Sequence, residues 1–218
     1  MEAMAAATTR QRILRAARQM VKRGSDLPVD EVAARAGVSV QTIYAHFGSK
    51  RGLILASIDD MQREIGLYEE LEAVFASPHG EVALRRMVGT TFTLWDRGWP
   101  FVALTLRARR VDREFGAQMA EIDTMRRTHL WVICRRLDAE GRLRTPGAPE
   151  PAADIAFALT TPTVYENLVR VRGWPSDHAS ATVAGIVVDA IVDPATAPAT
   201  DPAPDWGSLG LGARTSLR

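Results

Sequence analysis

With 218 residues, 46% of them hydrophobic and 24% charged, the chain has the composition of a globular protein, which excludes a wholly disordered or fibrous one. The formal net charge of +1 hides an asymmetry: residues 1–52 hold nine Lys/Arg and four Asp/Glu, a net +5, whereas the remainder holds 18 and 22, a net −4. A basic N-terminal segment indicates an anionic partner, although a solvated helix face explains the same charges.

Apolar residues recur at helical spacing along the chain, which predicts an all-α fold. The first helix is predicted over 8–23. A second, short helix follows Pro28 and ends at Gly37. A third begins behind Ser39, whose hydroxyl can cap it, and runs to Phe47.

The fourth helix is predicted to begin at Lys50 and to continue to about residue 75. Pro162 is expected to split a later helix, with Thr161 as the cap of the new start. The composition after Asp193 turns to Pro, Ala, Thr, Gly and Ser, which predicts a disordered tail. The other helices are predicted over 81–97, 100–109, 112–139, 152–172 and 176–192.

The segment 29–47 has the pattern of two short helices joined by a tight turn. Gly37 can adopt the left-handed conformation that ends the first helix, and Ser39 can cap the second. Ile43 and Phe47 form the buried face of that second helix. This pattern predicts a helix-turn-helix, whose second helix would enter the DNA major groove. A plain three-helix bundle with a polar surface is the alternative.

The exposed side chains of this motif suit DNA binding. Gln41 and Thr42 lie near the N-terminus of the second helix, where base edges are reached, and Gln can pair with adenine. Residues further along that helix, at the start of the fourth helix and at the start of the first can reach phosphates. The predicted DNA-binding residues are Arg10, Arg12, Gln41, Thr42, Tyr44, His46 and Lys50.

Over about residues 9–58 the chain resembles the tetracycline-repressor-type (TetR-type) regulators. The pattern Tyr-x-His-Phe-x-x-Lys-x-x-Leu, which begins at Tyr44, is specific to that family. A weaker similarity reappears over 161–175. The matching runs in the N-terminal part are 13–17, 32–39 and 42–53.

The resemblance implies an all-α homodimer whose two N-terminal heads bind the half-sites of a palindromic, double-stranded DNA operator. The C-terminal part would hold the dimer face and a cavity for an unidentified small-molecule effector that releases the DNA, as in a repressor. The predicted domains are therefore a helix-turn-helix DNA-binding domain over 1–52, a helical ligand-binding and dimerisation domain over 53–193, and the tail over 194–218.

The C-terminal helices carry features that agree with this expectation. Those predicted over 152–172 and 176–192 are rich in small and apolar residues, which favours a four-helix dimer face, with burial inside one subunit as the alternative.

Aromatic residues and Met cluster between residues 87 and 131. They indicate a pocket for a mostly apolar effector, and simple core filling is the alternative. Seven arginines could meet an acidic ligand, but a solvated helix face is the favoured interpretation; they are Arg107, Arg109, Arg110, Arg126, Arg127, Arg135 and Arg136. The predicted effector residues are Phe92, Trp95, Trp99 and Tyr165 as walls and Thr160 or Glu166 as a polar anchor.

Two other functions were weighed. The motifs of enzymes are absent from the sequence, so we expect a non-enzyme with no catalytic residue, metal site or cofactor. A ligand-independent architectural or membrane-bound module would not need the long second half. The single cysteine, Cys134, excludes an internal disulfide. The sequence also has no signal-peptide pattern and no long apolar run. Together with the single cysteine, these features predict a cytoplasmic protein without a membrane partner.

Overall fold

The computed structural model describes residues 2–195, with side chains from residue 9 onward. Those residues form helices without a strand, which confirms the predicted all-α fold. A π-helical segment, Glu166–Val171, continues α9. The helices are α1 (Glu2–Val21), α2 (Val29–Ala36), α3 (Val40–Phe47), α4 (Lys50–Glu64), α5 (Leu67–Phe75), α6 (Gly80–Val111), α7 (Arg113–Ala139), α8 (Pro149–Leu159), α9 (Pro162–Tyr165) and α10 (Ser176–Ile191).

Contacts between residues group the chain into two compact units. The first unit comprises the residues up to Ile65 together with Gly98–Met119, and the second comprises Gly66–Arg97 together with the residues from Ala120 on. The long helices α6 and α7 therefore contribute to both. The domain boundaries predicted after residues 52 and 193 stay a prediction, and most of the predicted tail, 196–218, lies outside the described residues.

In the first unit, the N-terminal helices pack because their apolar residues recur on one face. Ile13 of α1 and Ile43 of α3 are fully buried. Arg18 on α1 forms ion pairs with two carboxylates of α4, those of Asp60 and Glu64. Apolar burial and this charged clamp together hold α4 against the helices before it.

The second unit has its own apolar core, built from α6, α7, α8 and α10. Leu84, Ile133, Ala153 and Val187 come from these four helices in turn, and each is fully buried. The small side chain on α8 allows a close helix approach. This core, and not the local helix propensity, supplies most of the stability of such helices.

Two predicted helix ends differ from the structure. A stop at Gly98 and a new start at Pro100 were predicted, but α6 is continuous through both. Buried residues recur at helical spacing across the proline, as Trp95, Gly98 and Val102 show, so packing outweighs the hydrogen bond that Pro100 cannot donate. The helix predicted to reach residue 75 instead ends at Glu64, and Gly66, with φ of 73°, separates α4 from α5.

The two helical glycines Gly52 and Gly89 give a matched stability test. A Cβ on Gly52 would lie 2.0 Å from the carbonyl oxygen of Phe47, whereas a Cβ on Gly89 would meet nothing within 4 Å. We expect Gly52→Ala to destabilise the protein by about 1–3 kcal/mol, because a backbone atom has to move. Gly89→Ala should stabilise it by about 0.5–1 kcal/mol. Urea unfolding followed by circular dichroism measures both, and equal effects of the two would contradict the packing described at Gly52.

Candidate DNA interface and effector cluster

The turn between α2 and α3 has the geometry of a helix-turn-helix. Gly37 ends α2 with φ of 66°, and its N–H points to the carbonyls of Ala33 and Ala34. Ser39 then caps α3, because its hydroxyl oxygen accepts a hydrogen bond from the N–H of Thr42 at 3.0 Å. Both caps are the ones that the sequence predicted.

The α3 residues predicted to read DNA differ in their freedom to do so. The side chain of Gln41 is exposed and Tyr44 is 44% exposed. Thr42 is half-buried, and its hydroxyl lies 2.8 Å from that of Ser39. A base contact by Thr42 therefore has to compete with the cap, whereas Gln41 and Tyr44 point outward without such a constraint.

Two of the residues predicted to reach phosphates, Arg10 and His46, lie beside Phe47 at the end of α3. The guanidinium of Arg10 lies over the Phe47 ring, 5.5 Å from its centroid, and the His46 ring lies 6.1 Å away. Lys50 is exposed in the first turn of α4. Arg10 and His46 thus lie beside Phe47, Lys50 follows Phe47 by three residues in the chain, and Arg12 is exposed on α1.

Arg51, the neighbour of Lys50, has a different environment that the sequence did not indicate. Its guanidinium pairs with Asp112 at 3.1 Å and also with Glu114. The hydrogen bond to Glu114 raises the pKa of Arg51. Part of the positive charge counted in the N-terminal segment is therefore paired within the first unit, and phosphate binding by Lys50 stays a prediction.

In the second unit, four of the predicted effector residues come together. Phe92 and Tyr165 are buried and meet edge to face, with ring centroids 5.8 Å apart. The indole N–H of Trp95 donates to the carbonyl of Thr160 at 3.1 Å, and the Tyr165 hydroxyl donates to Asp96 at 2.7 Å. Burial, and then the bond to Asp96, raise the pKa of Tyr165, which keeps the phenol protonated.

The other two predicted effector residues are Trp99 and Glu166. Trp99 belongs to the first unit and is half-buried there. Glu166 is half-buried at the start of the π-helical segment. Thr160, the other predicted anchor, is 1% exposed and its hydroxyl donates to the carbonyl of Ala156 at 2.8 Å. Its side chain is thus already engaged within the helix.

Arg126 of α7, which the sequence analysis assigned to a solvated helix face, lies among aromatic rings in the structure. Its guanidinium lies 4.7 Å from the Trp95 ring and 5.1 Å from the Phe157 ring, and it donates to the carbonyl of Thr160 at 3.1 Å. Burial lowers the pKa of Arg126, with Asp123 acting in the opposite direction. We define the Arg126 cluster as Phe92, Trp95, Arg126, Phe157, Thr160 and Tyr165.

The interpretation of all seven arginines as a solvated face was therefore wrong for Arg126, and likewise for Arg136, whose side chain is 1% exposed. A signal for Arg126 exists in the sequence. It precedes Leu130, Ile133 and Leu137 at intervals of four, three and four, so it lies in phase with the buried stripe of α7.

Other chemistry is not evident in the described part of the chain. Burial raises the pKa of the Cys134 thiol to about 12, so it is a poor nucleophile at neutral pH. Among residues 2–195, no three His, Cys, Asp or Glu side chains come together as a metal site would need. Within the same residues, every helix is too short or too polar to cross a bilayer.

Comparison with known proteins identifies the N-terminal part. Residues 13–57 match the family described as bacterial regulatory proteins, tetR family. No curated protein sequence matches the chain.

Solved structures resemble most of the chain in fold. FadR from Bacillus subtilis, in complex with stearoyl-CoA, is 19% identical with a TM-score of 0.67, covering 82% of this chain and 97% of that one. SmeT in complex with triclosan is 21% identical with a TM-score of 0.68, covering 91% and 100%. The fatty acid degradation regulator FadR from Bacillus halodurans is 17% identical with a TM-score of 0.66, covering 82% and 97%. At these identities the likeness is one of fold.

Proposed function

We propose that the chain, whose residues 13–57 match the tetR family of bacterial regulatory proteins, is a transcriptional repressor that a small effector releases from a palindromic operator. The observation that carries this proposal is the doubly capped helix-turn-helix, with Gln41 and Tyr44 exposed on α3. Because such a repressor binds chromosomal DNA, we propose that the protein acts in the cytoplasm.

In this proposal α3 enters the major groove. Gln41 reads a base edge from the first turn of the helix, where a bidentate pair with adenine discriminates by about 1–3 kcal/mol. Arg10, His46 and Lys50 bind phosphates together with Arg12 and Tyr44. Thr42 contributes through the cap that orients α3, and its hydroxyl contacts DNA only if the bond to Ser39 opens.

DNA binding is tested by fluorescence anisotropy with duplexes selected from random sequence. We expect Lys50→Ala to weaken all duplexes and to reduce the slope of log affinity against log salt by about 1. Gln41→Ala should instead change the preferred base. Arg63→Ala is the matched control, since it removes the same charge about 20 Å further along α4 and Arg63 already pairs with Asp59. Failure to select any duplex above bulk DNA would contradict the proposal.

We further propose that two copies associate through α8 and α10, so that two heads reach the two half-sites. Each helix exposes an isoleucine, Ile155 at 42% and Ile186 at 50%, beside small residues such as Ala158 and Gly185. Exposed apolar residues flanked by small ones allow two helix pairs to pack closely, which supports a four-helix face.

The effector of this proposal is bound in the second unit. The aromatic contacts around Phe92, Trp95 and Tyr165 support a site for a molecule with a large apolar part, and the roles of Trp99 and Glu166 stay predictions. The complexes of similar fold with stearoyl-CoA and with triclosan support an effector-binding role. The effector has to favour the DNA-incompetent state, and a typical coupling would lower operator affinity about 5- to 150-fold.

A further inference from the structure

The second unit buries two arginines of α7, and their partners differ in strength. Arg136 is 1% exposed, and its guanidinium bonds Glu140 at 2.7 Å and the Ser77 carbonyl at 2.8 Å. Arg126 is 15% exposed, and its carboxylate partner, Asp123, is 3.3 Å away. Charge-assisted N–H···O bonds are usually about 2.7–2.9 Å long. The charge of Arg136 is thus well compensated, and that of Arg126 is only weakly compensated.

The donors of Arg126 exceed the acceptors around it. A guanidinium has five N–H donors, and within the described residues those of Arg126 make two hydrogen bonds, to Asp123 and to the Thr160 carbonyl. The Trp95 indole donates to that same carbonyl. Because the rings of Trp95 and Phe157 lie against the guanidinium, a ligand would meet the N–H groups at its edge.

The surroundings of Arg126 favour a negative ligand over a positive one. His129 lies three residues along α7, edge-on to Phe75 with centroids 5.4 Å apart. Burial, and then the charge of Arg126, lower the pKa of His129. A cationic ligand would meet the same repulsion, and Arg126 already covers the aromatic faces that would bind it.

We propose that the effector is an apolar carboxylic acid whose carboxylate binds the guanidinium edge of Arg126, with its apolar part against Phe92 and Trp95. The planar carboxylate matches the fork of N–H donors, and the buried site strengthens that pairing. This inference rests on the proposed function, because it names the chemical class of the effector.

Saturated acids of 8, 12 and 16 carbons test the proposal against the alcohols and amines of the same lengths. The intact protein is titrated below the micellar concentration of each compound, and binding is followed by tryptophan fluorescence and by calorimetry. We expect at least one acid to bind about tenfold more tightly than its alcohol, and the amine to bind most weakly. The proposal is overturned if no acid is preferred to its alcohol.

Substitutions then assign the preference to one residue. Arg126→Gln should reduce the ratio of acid to alcohol affinity to about one, and Arg126→Lys should retain part of it. Arg127→Gln is the control. Arg127, the neighbour of Arg126 in the sequence, pairs with Asp154 on the exposed side of the helix, so its substitution should not change the ratio of acid to alcohol affinity. An unchanged ratio in Arg126→Gln would overturn the assignment, and if that variant does not fold, Arg126→Lys and the wild-type comparison still decide.

DNA binding is measured separately, by anisotropy in the absence of any acid. If the wild-type protein does not bind DNA, the proposed function is contradicted. If it binds DNA but shows no preference for acids over alcohols, only the inference about Arg126 is contradicted. A bound acid that leaves operator affinity unchanged would show that the Arg126 cluster is not an effector site.

Discussion

Replacing both Ile155 and Ile186 with Arg is expected to convert the proposed dimer into monomers and to lower operator affinity about 100- to 10,000-fold, the range lost when two linked binding events become independent. Both side chains are about half-exposed, on α8 and α10, so Arg can point to solvent in the monomer and the fold should survive. In the dimer, the new charges would be buried against like charges across the two-fold axis.

Analytical ultracentrifugation at micromolar concentration measures the oligomeric state, and anisotropy measures operator binding. Val82→Arg is the control, because Val82 is 43% exposed on α6 and lies outside the proposed face. Val187 would be a poor choice for this test, since its side chain is fully buried and a charge there would unfold the second unit. A double variant that stays dimeric and binds operator normally would contradict the proposed face.

Arg136→Ala is expected to destabilise the protein by about 3–5 kcal/mol, as breaking a buried ion pair usually does. Arg136 bonds Glu140, the first residue after the end of α7, and the carbonyls of Ser77 and Pro78 in the loop between α5 and α6. The N–H of Gly80 donates to the same carboxylate at 3.0 Å. Loss of the guanidinium would leave two carbonyls without this donor and a mostly buried carboxylate without its cation.

The adjacent residue supplies the control for this prediction. Arg135 is exposed and lies 5.1 Å from the Trp131 ring, so Arg135→Ala should cost no more than about 1 kcal/mol. Urea unfolding monitored by circular dichroism compares the two variants. Similar stabilities would mean that the clamp between α7 and the loop contributes little.

The DNA head was the part most readily predicted from sequence, because its signals are local. Gly37 at the end of α2 and Ser39 at the start of α3 act on neighbouring backbone groups, so their roles follow from position alone. The DNA contacts assigned to Gln41, Tyr44 and Lys50 stay predictions, since they depend on a partner and not on the fold.

The effector cluster was predicted only in part. Aromatic residues such as Phe92 and Trp95 were recognised by type, but their meeting with Thr160 and Tyr165 joins segments some 65 to 73 residues apart. Arg126 was wrongly assigned to a solvated face because residue type outweighed position in the sequence interpretation. A charged side chain on a buried helical stripe is uncommon, and its neighbours identify its role only once the helices are packed.

The sequence by itself determined the all-α class and the helix-turn-helix, because helical spacing, a left-handed glycine and serine caps act within a few residues of one another. It also determined the split at Thr161 and Pro162, where a proline begins a new helix. Only the tertiary structure decided that α6 continues through Pro100, since the burial of distant packing partners outweighs one missing hydrogen bond. It alone decided which arginines are buried, because the cost of burying a charge depends on the partners that other helices bring to it.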